Sequence, residues 1–194
     1  MGNAESLIND QKERHLTSLA VSGQCCSGKS TLCRILSKKL DWEHVDIGNE
    51  IRKLAELHGL DITCFGSIPD VLLRQIDKQI EDRIRTETKV IWDGRLACYL
   101  ARDNVKAFKI YCIASLDVRA KRSARRDRTT FREAKTIVLR RDAEEARVFD
   151  RLYGLSNSFN PKWINLRVDT SSSSPEVLSN KIMNMLRNHF SIKG

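Results

Sequence analysis

Blocks of apolar and polar residues alternate along the chain and predict strands and helices in turn. Short apolar runs predict strands at residues 16–21, 43–47, 89–92, 108–113 and 163–168. Helical spacing of apolar residues predicts helices at residues 29–40, 49–58, 71–86, 116–126, 130–152 and 175–189. Because strands alternate with helices, we predict an α/β fold in which a parallel sheet of about five strands is flanked by helices.

Length and composition indicate one globular domain. The chain has 194 residues, of which 41% are apolar and 30% charged. Its polar beginning predicts a mobile tail at residues 1–15, followed by a single domain at residues 16–194. No apolar run approaches the roughly 20 residues of a membrane-spanning helix. The six cysteines form no C-x-x-C pair, so we expect reduced thiols, a cytoplasmic location and no membrane partner.

The stretch after the first predicted strand matches the phosphate-binding motif G-x-x-x-x-G-K-[ST] at every fixed position. Its glycines permit the tight turn that points backbone N–H groups at phosphate oxygens. Lys29 supplies positive charge for the β- and γ-phosphates, and Ser30 offers a hydroxyl to Mg²⁺. The helix that follows adds the positive end of its dipole. The predicted nucleotide-binding residues are Gly23, Gln24, Cys25, Cys26, Ser27, Gly28, Lys29, Ser30 and Thr31.

Two carboxylates lie at the ends of predicted strands. Ligands of open parallel sheets bind beyond these carboxyl ends. Asp93 closes an apolar strand, which is the position of the carboxylate that holds Mg²⁺, directly or through water, in phosphate-loop enzymes. Asp46 is a second carboxylate that could orient the substrate or its metal. The alternative for each is a helix-capping or turn residue. We predict Ser30 and Asp93 as the metal ligands.

Much of the net charge of +9 lies in an arginine-rich stretch at residues 119–147. Arg122, Arg125 and Arg126 share one face of a predicted helix, which is unfavourable unless an anion lies between them. One interpretation is a mobile lid that closes over ATP. The alternative is a surface that binds RNA. Aromatic residues, which provide stacking surfaces for bases, form only 6% of the chain, so we favour the lid and expect no nucleic-acid partner.

Several segments together resemble the cytidylate kinases of the nucleoside monophosphate kinase superfamily, in particular the short archaeal-type members. They are the phosphate loop, residues 45–52 (VDIGNEIR), residues 91–97 (IWDGRLA), residues 118–126 (VRAKRSARR) and residues 76–83. The resemblance implies the three-layer P-loop NTPase fold. It further implies a helical monophosphate-binding insert at about 49–86 and an arginine-rich lid at about 119–147.

The resemblance also implies roles for individual residues. Arg52 and Arg95 would hold the acceptor monophosphate, a task that suits a guanidinium group. Asp77 or Arg83 would face the base. The full set of predicted acceptor residues is Asp46, Gly48, Arg52, Asp77, Arg83, Gly94 and Arg95. The predicted catalytic residues are Lys29, Asp93, Arg122, Arg126 and Arg141, of which the three arginines would clamp the transferring phosphoryl group.

These observations predict a kinase that uses ATP and Mg²⁺ to phosphorylate CMP or dCMP. The alternatives are a P-loop kinase for another or modified nucleotide or small metabolite, and a nucleotide-gated RNA-binding protein. Departures from the family at Asn49, Cys98 and Tyr99 leave the identity of the monophosphate open. Cys25 and Cys26 also depart, and a helix N-terminus can make thiols sensitive to oxidation, although two small residues filling a turn is the simpler interpretation. We expect only small-molecule substrates as partners, and a monomer or weak dimer.

Overall fold

The computed structural model describes residues 15–57, 59, 68–155 and 160–190. The tail predicted at residues 1–15 lies outside these ranges except for His15. Residues 58 and 60–67, which belong to the predicted monophosphate-binding insert, also lie outside them.

Five parallel strands form one sheet, as the alternation of elements predicts. They are β1 (Ser18–Gly23), β2 (Glu43–Asp46), β3 (Val90–Asp93), β4 (Ala107–Ile113) and β5 (Leu166–Asp169). Their order is β2-β3-β1-β4-β5, so the first strand occupies the centre of the sheet. The register aligns Val21 and Asp46 with Asp93. The carboxyl ends of β1, β2 and β3 therefore meet at one edge.

The helices match their predicted positions to within two residues. They are α1 (Lys29–Leu40), α2 (Ile47–Leu57), α3 (Asp70–Thr86), α4 (Ala97–Leu100), α5 (Leu116–Asp127), α6 (Phe131–Tyr153) and α7 (Pro175–His189). Of these seven helices, α4 is the one that the sequence does not predict, because four residues are too few to display a helical period. Among the helices that the structure describes, none combines the length and the apolar character needed to cross a membrane.

Two strands differ from their predicted positions by two residues or more, whereas the other three differ by one residue. β1 lies two residues later than predicted because Ser22 and Gly23, which lack large apolar side chains, still pair with β4. The last strand was predicted to begin at Trp163, which instead belongs to a 3₁₀ turn at Pro161–Trp163. Asn160 caps this turn by accepting a hydrogen bond from the N–H of Lys162. Proline has a fixed φ and no N–H, so it favours the turn over a strand.

Apolar residues pack against both faces of the sheet in two clusters. Successive residues of a strand point to opposite faces. Leu19 of β1 therefore faces α1 and α7, where Leu36 and Leu186 are fully buried. Its neighbour Ala20 faces the layer that contains Ile80 of α3. The sheet therefore lies between two layers of helices, which gives the three layers that were predicted. Ligands of such sheets bind beyond the carboxyl ends of the strands.

Candidate active site

The segment between β1 and α1 folds as the phosphate loop that the sequence predicts. Gly23 adopts a φ of 148°, and a β-carbon added there would lie 2.2 Å from the carbonyl oxygen of Cys112, so glycine is required. Gly28, with a φ of 87°, precedes α1, and no side chain of the described residues caps this helix. The N–H groups of the first turn therefore remain available for an anion.

The phosphate loop forms one wall of a cavity of about 600 Å³, which we call the loop cavity. All the predicted catalytic residues line it, namely Lys29, Asp93, Arg122, Arg126 and Arg141. The predicted nucleotide-binding residues that line it are Cys25, Cys26, Gly28, Lys29, Ser30 and Thr31. Gly23, Gln24 and Ser27 lie outside its wall. Gln24 instead directs its amide toward the Asp142 carboxylate at 3.4 Å, and Ser27 is buried.

A second cavity of about 420 Å³, the side cavity, adjoins the first. The residues common to both walls are Gly48, Arg52, Arg95, Arg126, Arg141 and Glu145. Asp77 lines the side cavity, whereas Asp46 and Gly94 line the loop cavity. All the predicted acceptor residues except Arg83 therefore surround this pair of cavities, and arginines dominate their common wall.

Arg83 is the predicted acceptor residue that the structure brings to neither cavity. Its Nη1 donates to Glu50 Oε2 at 2.9 Å, and its Nε donates to Glu87 Oε1 at 2.7 Å. Its guanidinium group also lies over the ring of Trp92, 5.0 Å from the centroid. These contacts tie α3 to α2 and to the sheet, so of the two candidates only Asp77 lines a cavity.

Asp77 is 7% exposed and accepts a 2.6 Å hydrogen bond from the hydroxyl of Tyr153. Burial raises the pKa of the Asp77 carboxyl to about 6 because a carboxylate loses hydration there, and the bond from Tyr153 opposes this shift. The rings of Tyr153 and Tyr99 are in contact, with centroids 5.2 Å apart. Tyr99 thus contacts the residue that donates to Asp77, while Cys98 is buried against β1 and β4.

Oxygen groups suitable for a metal ion lie at the ends of β2 and β3 and at the start of α1. Asp93 is 2% exposed, and its Oδ2 lies 3.2 Å from Nε2 of His44. The Asp93 carboxylate and the Ser30 hydroxyl line the same cavity, and hard oxygen ligands of this kind fit Mg²⁺. Asp46 also lines this cavity, yet its Oδ1 accepts a 2.9 Å hydrogen bond from the N–H of Asn49 and so caps α2. The capping interpretation of Asp46 is therefore confirmed, and a role toward the substrate or its metal stays a prediction.

Lys29 carries the positive charge of the phosphate loop. Its Nζ donates to the carbonyl oxygen of Gln24 at 3.2 Å. Burial lowers the pKa of the Lys29 ammonium group, and the nearby Asp93 carboxylate opposes this shift. Because an ammonium group has three N–H donors, Lys29 can hold phosphate oxygens while it keeps the contact with Gln24.

The arginines of α5 and α6 differ in how firmly they are held. Arg122 donates to the carbonyl oxygen of Thr170 at 2.6 Å and to its hydroxyl at 3.0 Å. Arg126 pairs with its neighbour Asp127 at 2.7 Å, and its side chain is 56% exposed. The side chain of Arg141 is 40% exposed. Arg122 is therefore anchored to the end of β5, whereas Arg126 and Arg141 have more freedom to move toward a ligand.

Arg95 lies deeper and contacts two carboxylates of α6. It forms ion pairs with Asp142, at 3.1 Å, and with Glu145. Asp142 also pairs with Arg119 at 2.6 Å, and Arg119 donates to the carbonyl oxygen of Cys25 at 3.3 Å. Burial lowers the pKa of the Arg95 guanidinium group, and Asp142 opposes this shift. Among the residues described, none bonds to the buried Nη1 of Arg95, which leaves a donor for a phosphate oxygen.

Sequence reasoning missed three residues of the site: Asp142, Glu145 and Thr170. Thr170 follows β5 directly, lines the loop cavity and donates to the carbonyl oxygen of Ser27 at 2.7 Å. The rule that ligands bind at the ends of parallel strands could have found it. Asp142 and Glu145 lie one helical turn apart inside the arginine-rich stretch. Acidic residues at that spacing were the available signal for an ion-pair network.

A family model places the chain among known proteins. The model of the cytidylate kinase-like family matches residues 18–172, from β1 to just beyond β5. The chain belongs to this family. A cytidylate kinase from Sulfurisphaera tokodaii is 30% identical over 165 residues, which cover 83% of this chain and 90% of that protein. A cytidylate kinase from Haloarcula marismortui is 34% identical over 140 residues, which cover 71% of this chain and 72% of that protein.

A solved structure extends the comparison of this cytidylate kinase-like protein to its fold. Shikimate kinase from Acinetobacter baumannii in complex with shikimate is 15% identical, with a TM-score of 0.58 over 90% of this chain and 94% of that one. At this identity the likeness concerns the fold alone, and together with the parallel sheet it confirms the predicted P-loop kinase fold. Family membership confirms the predicted resemblance and the predicted class of enzyme, a nucleoside monophosphate kinase.

Proposed function

We propose that this cytidylate kinase-like protein transfers the γ-phosphoryl group of ATP to CMP or dCMP and forms ADP and the nucleoside diphosphate. The observation that carries the proposal is the arginine-rich wall shared by the loop cavity and the side cavity. A donor in one cavity and a monophosphate in the other would bring their phosphates together at this wall. The two archaeal relatives, both named cytidylate kinase, support the choice of acceptor.

The donor would lie with its β- and γ-phosphates in the phosphate loop. The uncapped N–H groups of α1 and the ammonium group of Lys29 would hold the phosphate oxygens. Mg²⁺, when bound between Ser30 and Asp93, would neutralise part of the phosphate charge. The Oδ2 of Asp93 faces His44, and this contact would keep the carboxylate in a fixed orientation.

The acceptor would lie in the side cavity with its phosphate at the shared wall. Arg52 and Arg95 would hold the phosphate, which needs no strong general base because it is already an anion. Asp77 would face the base, where its carboxylate can accept a hydrogen bond from the exocyclic amino group of cytosine. Uracil and thymine lack this donor, so the contact would favour CMP and dCMP over UMP and dTMP.

The lid arginines would act on the transition state. Phosphoryl transfer spreads negative charge over the oxygens of the transferring group, and positive charge already in place lowers the barrier. Arg122 is anchored in the loop cavity, while the exposed Arg126 and Arg141 would close over the group. We therefore also propose that residues 119–147 act as a lid and that residues 49–86 form the acceptor-binding insert.

The proposal is tested by ADP release from ATP and Mg²⁺ with CMP, dCMP, UMP, dTMP, AMP, GMP or no acceptor. Selective stimulation by CMP or dCMP is the expected result. Stimulation by another monophosphate would change the proposed substrate. If none of these monophosphates stimulates ADP release, cytidylate is discarded as the acceptor, and a kinase for a modified nucleotide or a small metabolite is favoured. The absence of nucleic-acid partners, the monomer or weak dimer and the cytoplasmic location stay predictions.

A further inference from the structure

Two adjacent thiols lie at the bend of the phosphate loop. The Sγ atoms of Cys25 and Cys26 are 3.5 Å apart. Both residues line the loop cavity, but Cys26 is half-buried whereas Cys25 is only 6% exposed. Cys26 adopts a φ of 59°, in the left-handed region that residues other than glycine rarely adopt. The described chain thus presents one accessible thiol with a second thiol in contact with it.

We propose that Cys25 and Cys26 form a reversible thiol–disulfide site in the phosphate loop, with Cys26 as the attacking thiol and Cys25 as the resolving thiol. The reagent that this site would take is a low-molecular-weight disulfide. The proposed function uses the backbone and Lys29 of the loop but assigns no role to either thiol. The effect on ATP rests on the proposed function, whereas formation of the disulfide does not.

The surroundings of the two sulfurs assign the roles. The hydrogen bond from Cys25 lowers the pKa of Cys26 to about 6, with further help from Arg126 on α5, from Ser123 and from Arg141 on α6. Because the thiolate is the nucleophile, Cys26 is the reactive member. The same contact with Cys26, together with burial, raises the pKa of Cys25, although Arg141 and Arg95 oppose this. Cys25 therefore remains a thiol until a mixed disulfide forms beside it.

The reaction takes two exchange steps. First, the Cys26 thiolate attacks one sulfur of the reagent, its disulfide bond breaks, and one small thiolate leaves and takes a proton from water. Second, Cys25 loses its proton and attacks Sγ of Cys26, the mixed disulfide breaks, and the second small thiolate leaves and is protonated. The two cysteines lose two electrons in total, and the reagent gains them as two thiols.

The product would distort the loop. A disulfide bond brings the sulfurs to about 2.05 Å, so they must approach each other by well over an ångström. Adjacent α-carbons are about 3.8 Å apart, less than the roughly 4.4–6.8 Å that a disulfide usually spans. The backbone between Gly23 and Gly28 must therefore adjust, and the strained bond should be readily reduced. We expect the oxidised protein to lose binding of ATP and the reduced protein to regain it.

The test uses the reduced full-length protein, oxidised glutathione as the probe, alkylation of free thiols and peptide mass spectrometry. In the wild type, the peptide that contains both cysteines should lose two hydrogens. In Cys25→Ser it should instead carry one glutathione on Cys26, and Cys26→Ser should react at least about tenfold more slowly. Added ATP and Mg²⁺ should slow the wild-type reaction by at least about tenfold, because they cover Cys26. Peptides with the buried Cys33, Cys98 and Cys112 are internal controls.

Calorimetry then measures how tightly ATP binds to the oxidised and reduced forms of the wild type and of the two serine variants. The wild type should lose at least about tenfold in affinity on oxidation, which a thiol reductant should restore. The proposal would be overturned if Cys26→Ser reacted with oxidised glutathione as fast as the wild type, or if both thiols of the wild type stayed free. Full retention of ATP binding by the disulfide form would overturn it too. Failure of the reduced wild type to bind ATP would instead contradict the proposed function.

Discussion

At the residue scale, Arg95 shows how one side chain can serve two partners. Asp142 and Glu145 hold its guanidinium group against α6, while its Nη1 keeps a donor for another group. An incoming phosphate can use that donor without breaking either ion pair. The protein therefore orients this guanidinium group in advance, which would reduce the entropy lost when a ligand binds to it.

Replacement of Arg95 should impair binding of the acceptor. We expect Arg95→Ala to raise the KM for CMP by at least about tenfold and to change the KM for ATP much less, since a bond to a charged group contributes about 1.5–3 kcal/mol. Steady-state kinetics with each substrate varied in turn measures this. Arg85→Ala, which removes an exposed arginine of α3 paired with Glu81, is the matched control and should leave both constants unchanged. A larger effect on ATP would move Arg95 to the donor side.

Replacement of Lys29 should impair the chemical step. Loss of one preorganised charge costs about 2–3 kcal/mol of transition-state stabilisation, so we expect Lys29→Ala to lower kcat by roughly 30- to 150-fold. The control is Lys39→Ala on the same helix, because Lys39 pairs with Glu176 away from the loop. Near-normal turnover of Lys29→Ala would contradict the mechanism.

Residues with a fixed place in a motif could be predicted from the sequence. The phosphate loop was predicted from the spacing of its motif, and Asp93 from its place at the end of a strand. Both signals are local to a short stretch of sequence. Arg83 could not be excluded from the site, because its partners Glu50 and Glu87 are found only after α2 and α3 pack together. Asp142 was missed for the same reason, since Arg95 is distant from it in sequence.

At the element scale, α6 carries Asp142, Glu145 and Arg141, of which the last two line the loop cavity, so the position of α6 matters for the site. A reciprocal capping box begins this helix: the Thr130 side chain accepts from the N–H of Glu133, and the Glu133 carboxylate accepts from the N–H of Thr130. These bonds satisfy N–H groups that the helix itself leaves free. They also fix the turn between α5 and α6.

Loss of this cap should destabilise the protein. We expect Thr130→Ala to lower the free energy of unfolding by about 1 kcal/mol, the usual effect of removing such a cap. Urea denaturation followed by circular dichroism measures the change. Thr136→Ala, at an exposed position inside the same helix, should be neutral or slightly stabilising because alanine is the better helix former. Equal effects of the two variants would argue against the cap.

Elements with long periodic patterns were the most predictable. The helices α1 and α7 match their predicted bounds, since apolar spacing in both, and the proline at the start of α7, are local signals. β1 and β5 were displaced because hydrogen bonds to β4, a distant part of the chain, decide where a strand begins and ends. The four-residue α4 depends on the loop after β3 and has no sequence pattern of its own.

At the scale of the whole molecule, Asp77 links pH to stability. Its folded pKa is about 6, above the ordinary value of 3.8, so the folded state holds its proton more firmly than the unfolded state. This contribution to stability is complete below about pH 4 and is lost as the pH rises through about 6. The sign is therefore opposite to that of a carboxylate in a salt bridge.

The pH dependence can be isolated by a double comparison. Between pH 4 and 7, the free energy of unfolding of the wild type minus that of Asp77→Asn should fall by about 2–3 kcal/mol. Denaturant titrations of both proteins across this range provide the measurement. Asp82→Asn, an exposed carboxylate of the same helix, should show no comparable fall. If the difference in unfolding free energy between the wild type and Asp77→Asn stays constant with pH, the burial argument for Asp77 is contradicted.

A carboxylate that bridges two guanidinium groups, as Asp142 does between Arg95 and Arg119, acts as an internal counter-ion. Because Glu145 also pairs with Arg95, a phosphate that approaches these arginines meets a positive charge that the protein already largely neutralises. Binding of a monophosphate would then replace or share existing contacts between arginines and carboxylates, and would not neutralise unpaired arginines. The affinity for the monophosphate should therefore weaken with added salt less steeply than the number of arginines around it suggests.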